Sequence, residues 1–262
     1  MNNSGIVIIT GASSGIGAEI SREFHKRGHT VMLVARREDR LLALQRELEV
    51  QRPNSVLIRV CDLTKRSEVQ VFAKELEAQT VIGLVNNAGI GSLGSFSSLD
   101  LSSELAQIEL NVLTPLILTH AVVSGMRVRK TGFIINVSSI FAYQAVPFVA
   151  TYAATKAFEW RHSVALQREL SEYGIRVLTL CPGPTETEFF GVAKVPGGMW
   201  NFKRAPAKLV AQTCLRDLDA GKTVSIPTLT AKALVLLAQI SPTFIYTWVI
   251  KKVLTPVLAR HS

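Results

Sequence analysis

Tyr152 and Lys156 stand four residues apart in Tyr152-Ala-Ala-Thr-Lys156, near the start of a long amphipathic run, so a helix would carry both side chains on one face. A phenol with an ordinary pKa of about 10 exchanges protons poorly at neutral pH, whereas a neighbouring ammonium favours the phenolate and draws that pKa toward the working range. The pair is a candidate acid/base. Ser139 and Ser138 precede the tyrosine by thirteen and fourteen residues and end the run Phe133-Ile-Ile-Asn-Val-Ser-Ser139, where a strand would deliver a hydroxyl to the same place.

A second group of residues could hold a phosphate. Gly11-Ala-Ser-Ser-Gly-Ile-Gly17 follows a buried-strand pattern and opens a helix pattern. Gly11 suits the tight turn, Gly15 lets backbone N–H groups approach a pyrophosphate, Gly17 permits close packing of helix on strand, and the helix N-terminus adds positive potential. Ser13, Ser14 and Ile16 complete the loop. The next strand pattern ends in Val34-Ala35-Arg36-Arg37, two guanidinium groups where folds that prefer NAD place an acid for the ribose 2′-hydroxyl. Arg36 and Arg37, with Ser13 as a further donor, favour a 2′-phosphate, hence NADP(H) over NAD(H).

The elements that must position these groups alternate. Short β-branched runs at 6–10, 31–35, 56–60, 84–86, 133–138, 177–180 and 224–226 read as strands, and amphipathic runs at 19–27, 40–51, 67–79, 103–127, 152–173 and 207–220 read as helices. A β-α-β-α order calls for a doubly wound parallel sheet with helices on both faces, the Rossmann arrangement. Ligands then bind at the carboxyl edge, where the glycine loop, the hydroxyls, Asn86-Asn-Ala-Gly89 and the tyrosine would converge.

No linker or repeat divides residues 1–227, which read as one domain. Residues 228–262 read as an apolar helical extension interrupted at Pro227, Pro242 and Pro256, suited to packing on its own domain or on a second subunit, with a membrane-surface helix or a membrane span as the alternatives. The charge of +9 is concentrated toward the end: from Trp200 onward nine Lys/Arg face only Asp217 and Asp219. That bias suits an anionic ligand or surface. Without a recognised module or interleaved aromatics it does not suggest nucleic-acid binding. Three scattered cysteines make no disulfide framework, and the five histidines no metal cluster. With no basic leader before Ile6, a reducing, cytoplasmic setting is expected.

These motifs together resemble the short-chain dehydrogenase/reductase family over residues 5 to about 227: Thr10-Gly-Ala-Ser-Ser-Gly-Ile-Gly17, Cys61-Asp62-Leu63, Asn86-Asn-Ala-Gly89, Asn111, Ser139, Tyr152-Ala-Ala-Thr-Lys156 and Pro182-Gly-Pro-Thr-Glu-Thr187. The resemblance implies hydride exchange between a nicotinamide and a carbonyl or alcohol, without metal. Tyr152 would then be the acid/base and Ser139, at the family's usual interval of thirteen, would polarise the substrate oxygen. Lys156 would bind the nicotinamide ribose and lower the tyrosine pKa, while Asn111 would hold a relay water. Asp62 and Leu63 would meet the adenine, Asn87, Ala88 and Gly89 the middle of the cofactor, Thr185 and Thr187 its carboxamide or phosphates, and Pro182 and Gly183 would also contact it. Residues 188–205 would be the substrate loop, whose aromatics, with Phe141, Tyr143, Val146 and Phe148, suit a small apolar ketone, 3-oxoacyl or steroid-like substrate. The helical runs at 103–127 and 152–173 resemble the family's dimer-forming pair, which implies a homodimer. The alternative is a non-catalytic NADP(H)-binding interaction protein of the same fold.

Overall fold

Valine, isoleucine and leucine crowd the short runs that become strands, because strands covered by helices on both faces have no polar side to show. The computed structural model describes residues 5–192 and 204–259. Along the chain run β1 (Ile6–Thr10), α1 (Gly15–Lys26), β2 (Thr30–Ala35), α2 (Glu38–Glu49), β3 (Val56–Val60), α3 (Arg66–Glu77) and β4 (Val81–Asn86). Then come α4 (Leu101–Ile108), α5 (Thr114–Arg129), β5 (Gly132–Val137), α6 (Ala150–Leu170), β6 (Ile175–Leu180), β7 (Thr185–Glu186) and α7 (Phe189–Val192). The chain continues through β8 (Ala205–Pro206), α8 (Ala207–Asp219), β9 (Val224–Ser225), α9 (Leu229–Ile240) and α10 (Thr243–Ala259).

Seven strands form one parallel sheet in the order β3-β2-β1-β4-β5-β6-β9, as the alternating pattern implies. Alternate side chains of each strand enter opposite cores. Val7, Ile9, Leu33 and Val85 meet Phe24 of α1 and Leu215 of α8 on one face. Ile8, Leu84, Ile134 and Val177 meet Phe72 of α3 and Leu118 of α5 on the other. The chain winds outward from β1 to β3 and then restarts at β4, so strand order reverses between β1 and β4 and opens a crevice at their carboxyl ends.

Three details depart from the sequence reading. The run at 103–127 is two helices joined by a wide π-turn, Glu109–Leu113, that carries Asn111. Strands β7 and β8 pair in a small second sheet that brings Thr185–Glu186 beside Ala205–Pro206; most of the expected substrate loop, residues 193–203, lies outside the described residues. Pro256 sits inside α10 and does not end it, since a proline at an exposed position near a helix end forfeits only one backbone bond. The break at Pro242 does occur, between α9 and α10.

Candidate active site

The glycine loop leaves β1 at Gly11, whose φ of +65° belongs to the left-handed region that glycine enters without strain. Thr10 ties this turn to the next loop. Its Oγ1 accepts from the backbone N–H of Asn87 at 2.9 Å and of Ala88 at 3.0 Å, while Asn87 Nδ2 donates to Thr10 O at 2.8 Å. A Cβ on Gly17 would run into the Asn87 amide and Gly11 O, so Gly17 serves this close packing from behind the wall of the cleft.

A cavity of about 630 Å³ follows the carboxyl edge of the sheet. One end is formed by Gly11, Ser13, Ser14, Gly15, Ile16, Arg36, Arg37, Asp62 and Leu63. Asn87, Ala88 and Gly89 form the middle, Thr187 lies against Gly15 of the glycine loop, and Ser139, Tyr152, Lys156, Pro182, Gly183 and Thr185 form the far end. Bare backbone at Gly11, Gly15 and Gly89 keeps it open; a Cβ on Gly89 would lie 3.3 Å from both Asn111 Oδ1 and Lys156 Nζ. The cleft therefore fits a dinucleotide laid across the sheet, with its phosphates at the glycine loop.

Helix α6 brings Tyr152 and Lys156 into this cleft, and it is anchored to the sheet by buried polar groups. Asn86 Nδ2 donates to Asn136 Oδ1 at 2.7 Å and to Thr119 Oγ1 at 3.1 Å, and Asn136 Nδ2 donates to Ser163 Oγ at 2.7 Å. Ser138 and Ser139 both line the cavity, but Ser138 Oγ donates to Lys156 O at 2.7 Å, so this hydroxyl is committed to holding the helix. Tyr152 packs edge-on against Phe141, ring centroids 6.3 Å apart, and against Phe189 at 5.4 Å.

Lys156 Nζ donates to Val137 O at 2.9 Å and lies 2.9 Å from Glu159 Oε2, both side chains almost wholly buried. Burial would discharge the ammonium, but the Glu159 carboxyl and the Tyr152 phenol outweigh it and hold the lysine above its ordinary pKa. Burial pushes the Tyr152 phenol up; the Lys156 charge and a Ser139 hydrogen bond pull it down without overcoming burial. The expected pull of lysine on tyrosine is present, but it is the lesser influence.

Asn111 does not line the cavity. Its Nδ2 donates to Ile90 O at 2.8 Å and Thr155 Oγ1 at 3.0 Å, and its Oδ1 accepts from Ile90 N at 3.1 Å, so the π-turn fastens α6 to the loop after β4. Asp62 accepts from Thr64 Oγ1 at 2.7 Å and Thr64 N at 3.1 Å. Burial alone would raise its carboxyl, but these bonds with nearby Arg36 and Lys65 hold it low. Thr185 Oγ1 turns to Gly183 O at 2.9 Å.

At the other end Arg37 Nη2 donates to Ser13 Oγ at 3.0 Å and Ser14 Oγ at 2.9 Å, while Nη1 donates to Glu188 Oε2 at 2.7 Å. Arg36 is largely exposed and 4.0 Å from Asp62.

A family model described as short chain dehydrogenase matches residues 5–194. The chain belongs to the short-chain dehydrogenase family. Dehydrogenase/reductase SDR family member 7B of Xenopus laevis is 30% identical over 258 residues, which cover 92% of this chain and 80% of that one. Among curated relatives the matched stretch spans 58% to 84% of their length. A solved short-chain dehydrogenase from Sphingobium yanoikuyae, in complex with NADPH, shares 32% identity with a TM-score of 0.82, covering 88% of this chain and 92% of that one. An alcohol dehydrogenase from Comamonas testosteroni, described as bulky-bulky ketone specific, shares 29% with a TM-score of 0.78, covering 87% and 88%. The chain is thus an NAD(P)-dependent oxidoreductase.

The sequence reading of this dehydrogenase missed three contributors. Glu159 stood three residues beyond Lys156 on one helix face, a spacing that could have exposed it. Glu188 gave no such signal, being 151 residues from Arg37. The extension proves to be a cavity wall: Leu234, Leu237, Ala238 and Ser241, then Ile245, Tyr246, Val249 and Ile250, line the space beyond Tyr152. Tyr246 and Ile250 pack on Val146, Val149 and Ala153, and Gln144 Nε2 donates to Ala238 O and Ser241 O.

Proposed function

We propose that this oxidoreductase reduces the carbonyl of an apolar substrate, a bulky ketone, 3-oxoacyl or steroid-like compound, with NADPH, or runs the reverse alcohol oxidation. The observation that carries this is a single cavity with phosphate-cradling backbone at one end and the Tyr152, Ser139 and Lys156 side chains under apolar walls at the other. The NADPH bound by one neighbour and the ketone named for the other support the same reading.

When bound, the nicotinamide supplies or accepts hydride. Ser139 Oγ–H holds the substrate oxygen by a hydrogen bond, and the Tyr152 phenol gives that oxygen the proton that completes the alcohol. Lys156 ammonium stabilises the phenolate left behind and meets the ribose hydroxyls. Asn111 and Thr155 keep the first turns of α6 against the cleft, so that proton donor and acceptor stay in register. Burial keeps Tyr152 protonated until the transfer, which suits reduction.

Arg37, already bound to Ser13 and Ser14, is the receptor for a 2′-phosphate, with Arg36 beside it. Exposed Leu116 and Phe158 on α5 and α6 suit a homodimer through these helices, and three buried free thiols suit a reducing cytoplasm. The test is NADPH and NADH oxidation with a panel of bulky and long-chain ketones. Turnover with NADPH that disappears in Tyr152→Phe is expected; equal rates with both cofactors, or an active Tyr152→Phe, would overturn the corresponding part.

A further inference from the structure

Helices α9 and α10 each turn one face inward and leave another uncovered. On α9 the spacing of Leu229, Lys232, Leu236 and Ile240 places them on one stripe, and all are exposed, Leu229 at 82% and Ile240 at 70%. On α10 Phe244, Trp248, Lys251 and Lys252 do the same, Phe244 at 73% and Trp248 at 58%. Lys252 Nζ stands 4.1 Å from the centroid of the Trp248 ring, a pairing of cation and indole suited to the boundary between headgroups and acyl chains. Leu237, Ile245 and Val249 belong to both surfaces. They line the cavity and are roughly half exposed, so the cavity opens through an apolar rim between the two helices.

We propose that the outward faces of α9 and α10 dock on an anionic phospholipid bilayer, so that this rim admits the carbonyl substrate from the lipid phase. The second clause rests on the reductase reading; the docking does not. Charge selects this partner: no acidic residue follows Asp219, while Lys232, Lys251 and Lys252 flank the apolar stripes. Length selects the mode. At about 1.5 Å per residue, α9 and α10 extend roughly 18 and 26 Å, each short of the ~30 Å hydrocarbon core, and the Ser241-Pro242 break keeps them from joining into one span. They would lie along the interface. The docking face has a firm base, because Tyr246, Ile250 and Gln144 fasten both helices over the catalytic cleft. A few exposed apolar residues are ordinary on any protein; two stripes bounded by cations around the mouth of an apolar cavity are not.

The test is co-sedimentation of the full chain with vesicles of phosphatidylcholine containing about 30% phosphatidylglycerol, with pure phosphatidylcholine vesicles and with none. Binding is expected to the anionic vesicles and to weaken with salt. Lys251→Gln and Lys252→Gln should each lower vesicle affinity about fivefold, and Phe244→Ser with Trp248→Ser at least tenfold. None of these four residues lines the cavity, so turnover of a water-soluble ketone should be unchanged. A chain that stays in the supernatant, or whose sedimentation ignores these substitutions, overturns the docking. So does a dimer in solution that Phe244→Ser and Trp248→Ser dissociate, since a second copy would then cover the face. Because sedimentation reads docking without catalysis, an inactive but vesicle-bound enzyme refutes only the reductase reading.

Discussion

Replacing Glu159 by glutamine removes a carboxyl 2.9 Å from Lys156 Nζ, in a place where neither side chain is more than 4% exposed. Burial pushes this carboxyl from its ordinary 4.5 up to about 7, even against the attraction of Lys156. The folded state thus holds the Glu159 proton more tightly than the unfolded chain does. Its contribution to stability is fully present below about pH 4.5 and is lost as pH rises through about 7. Raising this carboxyl from 4.5 to about 7, at roughly 1.4 kcal/mol per pH unit, comes to about 3.5 kcal/mol. For a chain of this size that is roughly 7–14 °C in Tm. Thermal unfolding of wild type and Glu159→Gln, followed by circular dichroism from pH 4 to 8.5, isolates this group in the difference between the two curves. The wild-type Tm should fall relative to the variant by about that amount between pH 4.5 and 7.5. Parallel curves would refute the argument, and a wild type that gains on the variant as pH rises would mean that attraction outweighs burial. The variant also leaves the Lys156 ammonium buried without its counter-charge. Its pKa should fall, and the alkaline limb of the kcat/KM profile should move to lower pH.

Tyr152→Phe should lower kcat about 10²–10⁴-fold while leaving NADPH binding, read by fluorescence titration, intact; a smaller loss would remove the phenol from proton transfer. Arg37→Ala should raise the KM for NADPH about tenfold or more and leave NADH nearly unchanged, because a charged donor to the 2′-phosphate is lost. Glu188→Gln should act in the opposite sense and lower the KM for NADPH a few-fold, since the carboxylate now bound to Arg37 competes with that phosphate; an increase would show that Glu188 positions the arginine productively. Gly17→Ala, whose Cβ would run into the Asn87 amide and Gly11 O, should cost about 1–3 kcal/mol in urea unfolding and loosen NADPH binding.

The parallel sheet, the glycine turn and the helix carrying Tyr152 and Lys156 could all be read from the chain in order, because each follows from local rules of spacing: period two for strands, i to i+4 for helices, glycine where φ is positive. Asn111 was found by its position in the family pattern, but the wide turn that lets its amide reach Ile90 and Thr155 was not, since an apolar run looks the same whether its helix is regular or bulged. Spacing brought Lys156 beside Glu159, yet burial decides that this carboxyl holds a proton near neutrality, and burial exists only once α6 has packed on the sheet. The link from Arg37 to Glu188 joins residues far apart in the chain, and no pattern within either segment announces it. The apolar extension was visible as composition alone. That it folds back as a wall of the cavity beside Tyr152 depends on contacts from Tyr246 and Ile250 to Val146, Val149 and Ala153, pairings that exist only once the chain has closed on itself.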